Sequence, residues 1–228
     1  MLVHALDLRE VSPQIGSAAS APTASPSSPP GPFEIMGSLI AYGRNEEIYG
    51  EGEAADFLYR VKSGCVRTCR VLKDGRRQIA SFSLPGDVFG LTPGEEHTSS
   101  AEASVPSEVI AVKGSTLRIR AGVDPALAIL LMGLAIAELQ RTQDHALLLI
   151  KSAQERVATF LLDLAKREAS NIEVRLPMSR QEIADYLGLT IETVSRTLTL
   201  LENTAAISLP TSRRVILCNR PSLSKMNV

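Results

Sequence analysis

Within five residues, Glu192, Ser195 and Arg196 bring together a carboxylate, a hydroxyl and a guanidinium, and Thr199 adds a second hydroxyl three positions on. At 3.6 residues per turn these positions share one helical face. The chemistry of such a face is hydrogen bonding to flat, polar edges. Arginine presents paired donors that match guanine O6 and N7, glutamate accepts from cytosine N4, and a hydroxyl serves either partner. The competing reading is a solvated charged face on an ordinary helical hairpin. What surrounds the triplet decides between them. Ser179, Arg180, Thr190, Thr193, Thr199, Arg213 and Arg214 are further polar or cationic residues suited to sugar-phosphate or flanking contacts.

The elements that must position this face are legible. Ser179-Arg180-Gln181-Glu182 fits a capping box, in which the serine hydroxyl accepts from the N3 amide and the glutamate reaches back to the cap amide. A helix therefore starts at Ser179, with Ile183 and Leu187 on its apolar side. Gly188 allows a sharp turn. Thr190 caps a second helix whose apolar side is Ile191, Val194, Leu198 and Leu201. Two short β-like runs, 207–209 and 215–217, follow, joined by a tip carrying Arg213 and Arg214. From Arg175 onward seven Lys or Arg face four acids, a local excess of three in a chain whose formal net charge is −1. A basic C-terminal end on a near-neutral chain fits a local nucleic-acid patch.

Upstream, residues 37–112 alternate in short runs broken by turn residues, which predicts antiparallel strands in a sandwich or roll. The clearest hairpin is 66–72 and 76–82 about Asp74-Gly75, the pair being expected to supply positive φ angles. At Asp124 the period changes. Residues 125–150 predict a helix about 40 Å long, with Leu127, Leu131, Leu134, Glu138, Arg141, His145 and Leu148 on one heptad-like stripe. That stripe is the expected homodimer seam; packing within the monomer is the alternative. A further amphipathic helix covers 153–169. Residues 12–32, almost entirely Ser, Ala, Pro, Gly and Thr, read as a disordered tail.

Other classes have little support. No metal-ligand spacing, nucleophile elbow or phosphate-binding glycine loop occurs, and His4, His97 and His145 have no evident catalytic partners, so an enzyme is not expected. His97 is expected on a polar surface loop. Three cysteines suit a reduced compartment. Cys65 and Cys69 would lie about 13 Å apart along a strand, too far for a disulfide, and read as small buried hydrophobes. Cys218, after the wing-like runs, is a weak redox candidate. Asp7 and Glu10 oppose a secretory signal, and the apolar run 126–137 is short for a membrane span, so a cytoplasmic location is expected.

The stretch 176–202, LPMSRQEIADYLGLTIETVSRTLTLLE, resembles the winged-helix region of the CRP/FNR superfamily, and VRTCRVLKDGRRQIASFSLPGDVFGL, 66–91, looks most like its FixK-type branch. The resemblance implies an α+β chain. It would comprise a tail (1–36), an N-terminal antiparallel β-roll of the cyclic-nucleotide-binding kind (37–122), a long dimerisation helix (123–151) and a C-terminal winged helix-turn-helix (152–228). Glu192, Ser195 and Arg196 occupy its E-x-x-S-R positions. That implies a homodimer reading double-stranded DNA at a TTGAT-N4-ATCAA-like palindrome, recruiting RNA polymerase and activating genes of microaerobic or anaerobic metabolism, or of nitrogen fixation. Residues 203–206 depart from a glycine-containing turn usual in the family, so the recognition helix is expected to end differently. Relatives that bind cyclic AMP use an arginine for its phosphate, whereas no Lys or Arg lies between Arg77 and Lys113 here. A buried phosphate without a cation is costly, so no cyclic nucleotide is expected. The thiolate count also falls short of the four an iron–sulfur cluster needs. No cofactor is expected; a regulator answering an unidentified small ligand is the alternative.

Overall fold

The computed structural model describes residues 31–226 apart from residue 171. Most of the expected tail lies outside the described residues. Its last part does not behave as a tail: Pro32, at a first helical turn where a missing N–H costs nothing, opens helix α1 (Pro32–Met36), and Phe33 is buried.

The alternating segment forms eight strands: β1 (Ser38–Tyr42), β2 (Glu47–Tyr49), β3 (Phe57–Ser63), β4 (Val66–Val71), β5 (Arg77–Ser83), β6 (Val88–Phe89), β7 (Ser100–Ala103) and β8 (Ser107–Lys113). They make two four-stranded antiparallel sheets, ordered β1-β8-β3-β6 and β2-β7-β4-β5. Inward side chains of both sheets, among them Tyr49, Tyr59, Val61, Val66, Phe89 and Val109, share one core. In the β4–β5 hairpin only Gly75 has a positive φ, of 83°; Asp74 does not. The loop is a type I turn, closed by Gly75 N–H donating to Leu72 O at 2.9 Å, with glycine in the left-handed position after it. A bulge between Thr68 and Cys69 shifts the register of this pair.

His97 also differs from expectation. It is 4% exposed and stacks on Tyr49 with ring centroids 3.6 Å apart. Cys65 and Cys69 are buried, and burial pushes their thiols up to about 12 and about 11.

Helix α2 (Gly114–Ala121) leads to α3 (Pro125–Leu148), capped by the Asp124 carboxylate accepting from the amides of Ala126 and Leu127. The stripe expected to meet a second copy faces the protein itself. Leu127 is buried with Phe33, Val88, Ile110, Val112 and Leu117, and Leu131 and Leu134 pack beside it. Arg141 binds Glu138 and Asp87, His145 reaches Tyr186, and Leu148 is buried. The two sides of α3 are both apolar at helical spacing, so periodicity could not tell which one the β domain would take. The side left open carries Ile129, Met132, Ile136 and Leu139, each more than half exposed.

After α4 (Ala153–Arg167) come β9 (Glu173–Arg175), α5 (Arg180–Leu187), α6 (Ile191–Asn203), β10 (Ile207–Thr211), β11 (Arg214–Leu217) and α7 (Arg220–Lys225). The strands form a small sheet ordered β10-β11-β9. This C-terminal part does not keep a separate core. Cys65, Cys69, Ile79, Phe82 and Leu84 of the β domain join Phe160 and Leu161 of α4, Ile183 and Leu187 of α5, and Val194 of α6 in one buried cluster.

Candidate nucleic-acid interface

Local chemistry explains the geometry of the two helices. Ser179 Oγ accepts from Glu182 N–H at 3.2 Å, and Glu182 Oε2 accepts from Ser179 N–H at 2.6 Å, closing the capping box. Gly188, at φ 61° and ψ 41°, ends α5 in the left-handed conformation that lets the chain turn at once into α6. Thr190 Oγ1 accepts from Thr193 N–H at 3.2 Å and caps α6.

Three of the residues singled out by spacing stand together on the open face of α6: Glu192, Ser195 and Arg196 are exposed, while Val194, Thr197, Leu198 and Leu201 on the other face are buried. Thr199 is exposed on the same side, its hydroxyl donating to Ser195 O at 3.1 Å. Hydrogen bonds from Glu192's own amide and the Thr190 hydroxyl, with the Arg196 charge nearby, hold the Glu192 carboxyl below the usual range. It is therefore an acceptor at neutral pH.

The flanking cations differ from one another. Arg214 is tied to Glu173 by two hydrogen bonds of 2.6 Å, so its charge is largely answered within the chain. Arg213 donates to the carbonyls of Leu176 and Pro177 at 3.2 and 2.6 Å, which orients the guanidinium without neutralising it. Arg180 has a buried Nη1 with no hydrogen-bond partner among the described residues. Burial first, then the neighbouring Arg213, disfavours its positive charge. An anion at this point would satisfy the free donor and relieve the repulsion.

Tertiary structure supplies residues that spacing had not shown. Arg156 of α4 donates to Lys151 O at 2.8 Å, Leu149 O at 2.5 Å, Leu187 O at 2.9 Å and Gly188 O at 3.3 Å. It thereby fastens the end of the long helix to the tight turn between α5 and α6. From the β domain, Arg67 pairs with Glu182 at 2.5 Å and Arg77 with Asp185 at 2.8 Å. No sequence signal joins partners more than a hundred positions apart.

Residues 155–226 match the Crp-like helix-turn-helix domain model and residues 39–119 the cyclic nucleotide-binding domain model. The nitrogen fixation regulation protein FixK of Azorhizobium caulinodans is 54% identical over 198 residues, covering 84% of this chain and 80% of that protein. The chain belongs to the CRP/FNR family. Within the family it is a FixK-type transcription regulator with a helix-turn-helix DNA-binding domain, not an enzyme. The transcriptional activatory protein AadR of Rhodopseudomonas palustris is 43% identical, covering 75% of this chain and 73% of the relative. Among solved CRP/FNR structures, FixK2 from Bradyrhizobium japonicum aligns at a TM-score of 0.81 and 45% identity, over 85% of this chain and 98% of that one. The α+β architecture of β-roll, long helix and C-terminal helix-turn-helix is the family's.

Proposed function

We propose that this regulator acts in the cytoplasm as a homodimer, reads a TTGAT-N4-ATCAA-like palindrome through Glu192, Ser195 and Arg196, and recruits RNA polymerase to activate genes of microaerobic or anaerobic metabolism, or of nitrogen fixation. The observation that carries the reading is the exposed polar face at the start of α6, presented beyond a left-handed turn, with Val194, Leu198 and Leu201 of the opposite face buried. A helix of this width fits the major groove, where such side chains reach base edges. Arg180 and Arg213 are the phosphate contacts, because no carboxylate among the described residues answers their charges; Ser179, Thr190, Thr193 and Thr199 flank them.

The dimer seam is the open side of α3. Ile129, Met132, Ile136, Leu139, Gln143 and Ala146 recur at alternating spacings of three and four, the repeat of a two-stranded coiled coil, and all six are exposed. By length and composition alone α3 could cross a membrane. Its Leu127 side packed on the β domain and its Gln143-containing open side favour a second copy instead.

A regulator answering a small ligand is the second reading, favoured by a cleft of about 860 Å³ lined by Tyr49, Phe89, Thr98, Glu138, Arg141 and Thr142 among others. Arg141 supplies a cation there, which residues 78–112 of the β-roll lack. Glu138 and Asp87 already answer it, so a phosphate bound at Arg141 would have to displace carboxylates. No cyclic nucleotide is therefore proposed as the effector. Mass spectrometry of protein purified without additives checks this reading: a stoichiometric bound molecule supports it.

Selection of preferred duplexes from a random pool tests the main reading, since it returns both half-site and spacing. Arg196→Ala is expected to lose discrimination at one base pair of each half-site, about 1 to 3 kcal/mol. Arg213→Ala is expected to weaken all duplexes alike and reduce the salt slope by about one. Unchanged base preference in the Arg196 variant would refute the assignment.

A further inference from the structure

Helix α5 is held from outside its own domain. Arg67, near the start of β4, is 4% exposed, and all five guanidinium N–H donors have acceptors nearby: Glu102 takes two, Asn45 Oδ1 two at 3.3 Å, and Glu182 Oε1 one at 2.5 Å. Glu182 is 3% exposed. Its two oxygens divide their work, one closing the capping box with Ser179 and the other reaching Arg67. A capping-box glutamate needs only its own helix; here it is also the point at which the β-roll grips the reading domain. A second tie, Arg77 to Asp185, lies one turn along α5, at 29% and 12% side-chain exposure. At the far end of α5, His145 of α3 reaches Tyr186 O at 2.8 Å. Burial opposes ionisation of Glu182, yet its hydrogen bonds hold the carboxyl below the usual range, so the pair is charged at neutral pH.

We propose that Arg67 is a positioning residue for DNA reading: by holding Glu182 it fixes the angle of α5, and therefore of α6, relative to α3, and so sets which half-site spacing the dimer accepts. This rests on the DNA-reading function proposed above and adds the β4–β5 hairpin to its determinants. Arg67 touches no DNA. Its loss leaves the base-reading face of α6 intact but removes the buried tie that fixes the head's angle, so that the shared core lets it sample a wider range of orientations. Moving one half-site by one base pair turns it by about 34° and shifts it by about 3.4 Å, a displacement a rigid pair of heads cannot follow and a freed pair can.

The test compares the full-length wild type with Arg67→Met/Glu182→Gln, which leaves no unpaired carboxylate at Glu182 and only the part-exposed Glu102 without its arginine, and with Arg77→Gln, which touches only the more exposed tie. Each is titrated with the TTGAT-N4-ATCAA duplex, with the same duplex lengthened by one central base pair, and with a single-base half-site variant. The wild type is expected to lose on the order of tenfold or more on the lengthened duplex. In the double variant that ratio is expected to fall to within about threefold, with a smaller fall in Arg77→Gln, while the penalty for the single-base change stays as in the wild type. An unchanged spacing ratio in both variants overturns the proposal while leaving DNA reading in place. A wild type that binds none of the duplexes specifically overturns the reading and the positioning role together.

Discussion

At the scale of single residues, the end of α6 shows how a departure from a usual pattern is accommodated. Ala205 adopts φ 55°, in the left-handed region, while Ala206 N–H donates to Leu201 O at 3.0 Å and Ala205 N–H to Glu202 O at 2.9 Å. This is the hydrogen-bond pattern of a glycine C-cap built with an alanine, and the Cβ makes it strained. Ala205→Gly is expected to stabilise the protein by up to about 1 kcal/mol, less what glycine adds to unfolded-state entropy, with DNA preference unchanged; chemical denaturation measures it. The sequence departure at 203–206 was visible in advance. That the helix would close in the usual way despite it depends on Leu201 being buried and holding the last turn in place.

At the scale of elements, α3 carries two apolar sides and assigns them to different partners. The Leu127–Leu131–Leu134 side completes the core of the β domain, and the Ile129–Met132–Ile136–Leu139 side remains open. Ile136→Glu would place a charge at the middle of the proposed seam, directly opposite its own copy. The expected outcome is a monomer in analytical ultracentrifugation, with palindrome binding reduced to that of a single half-site. Leu131→Glu is expected to act differently: it strikes the intramolecular core and lowers stability before association is affected. A dimer that survives Ile136→Glu would remove the seam. The helix-turn-helix itself was legible because its signals are local: a capping box, a left-handed glycine and a second cap all operate within four residues.

At the scale of the whole molecule, one buried cluster joins β-roll and reading domain, so the histidines of both parts bear on one stability. Burial holds His97 and His145 below the ordinary imidazole value of 6.5. Well above that value, neither folded nor unfolded chain is protonated at these sites and their contribution is full. As pH falls through about 6.5 the unfolded chain takes up protons that the folded chain resists, so stability declines until the depressed folded values are passed. The midpoint of chemical denaturation is therefore expected to fall between about pH 7.5 and about pH 5.5. His97→Phe keeps the stack on Tyr49 and removes the buried, unpartnered Nε2. It is expected to be neutral or stabilising at pH 7.5 and to shrink the pH-dependent fall; an unaltered fall would exclude His97 as a source.

The sequence by itself determined the order of the parts, the hairpin at Asp74-Gly75, the caps at Ser179 and Thr190, and the polar face of Glu192, Ser195 and Arg196. Each of these is written in periodicity or in interactions spanning a few residues. Only the tertiary structure decided which side of α3 stays open, that His97 is buried, that Arg214 is answered by Glu173 while Arg213 is not, and that Arg67 holds Glu182. Those outcomes depend on groups far apart in the chain competing for the same burial and the same charge, and no local pattern records who wins. The polar triplet on α6 was readable from spacing alone; the angle at which it is presented is set by an arginine 125 positions before Glu192.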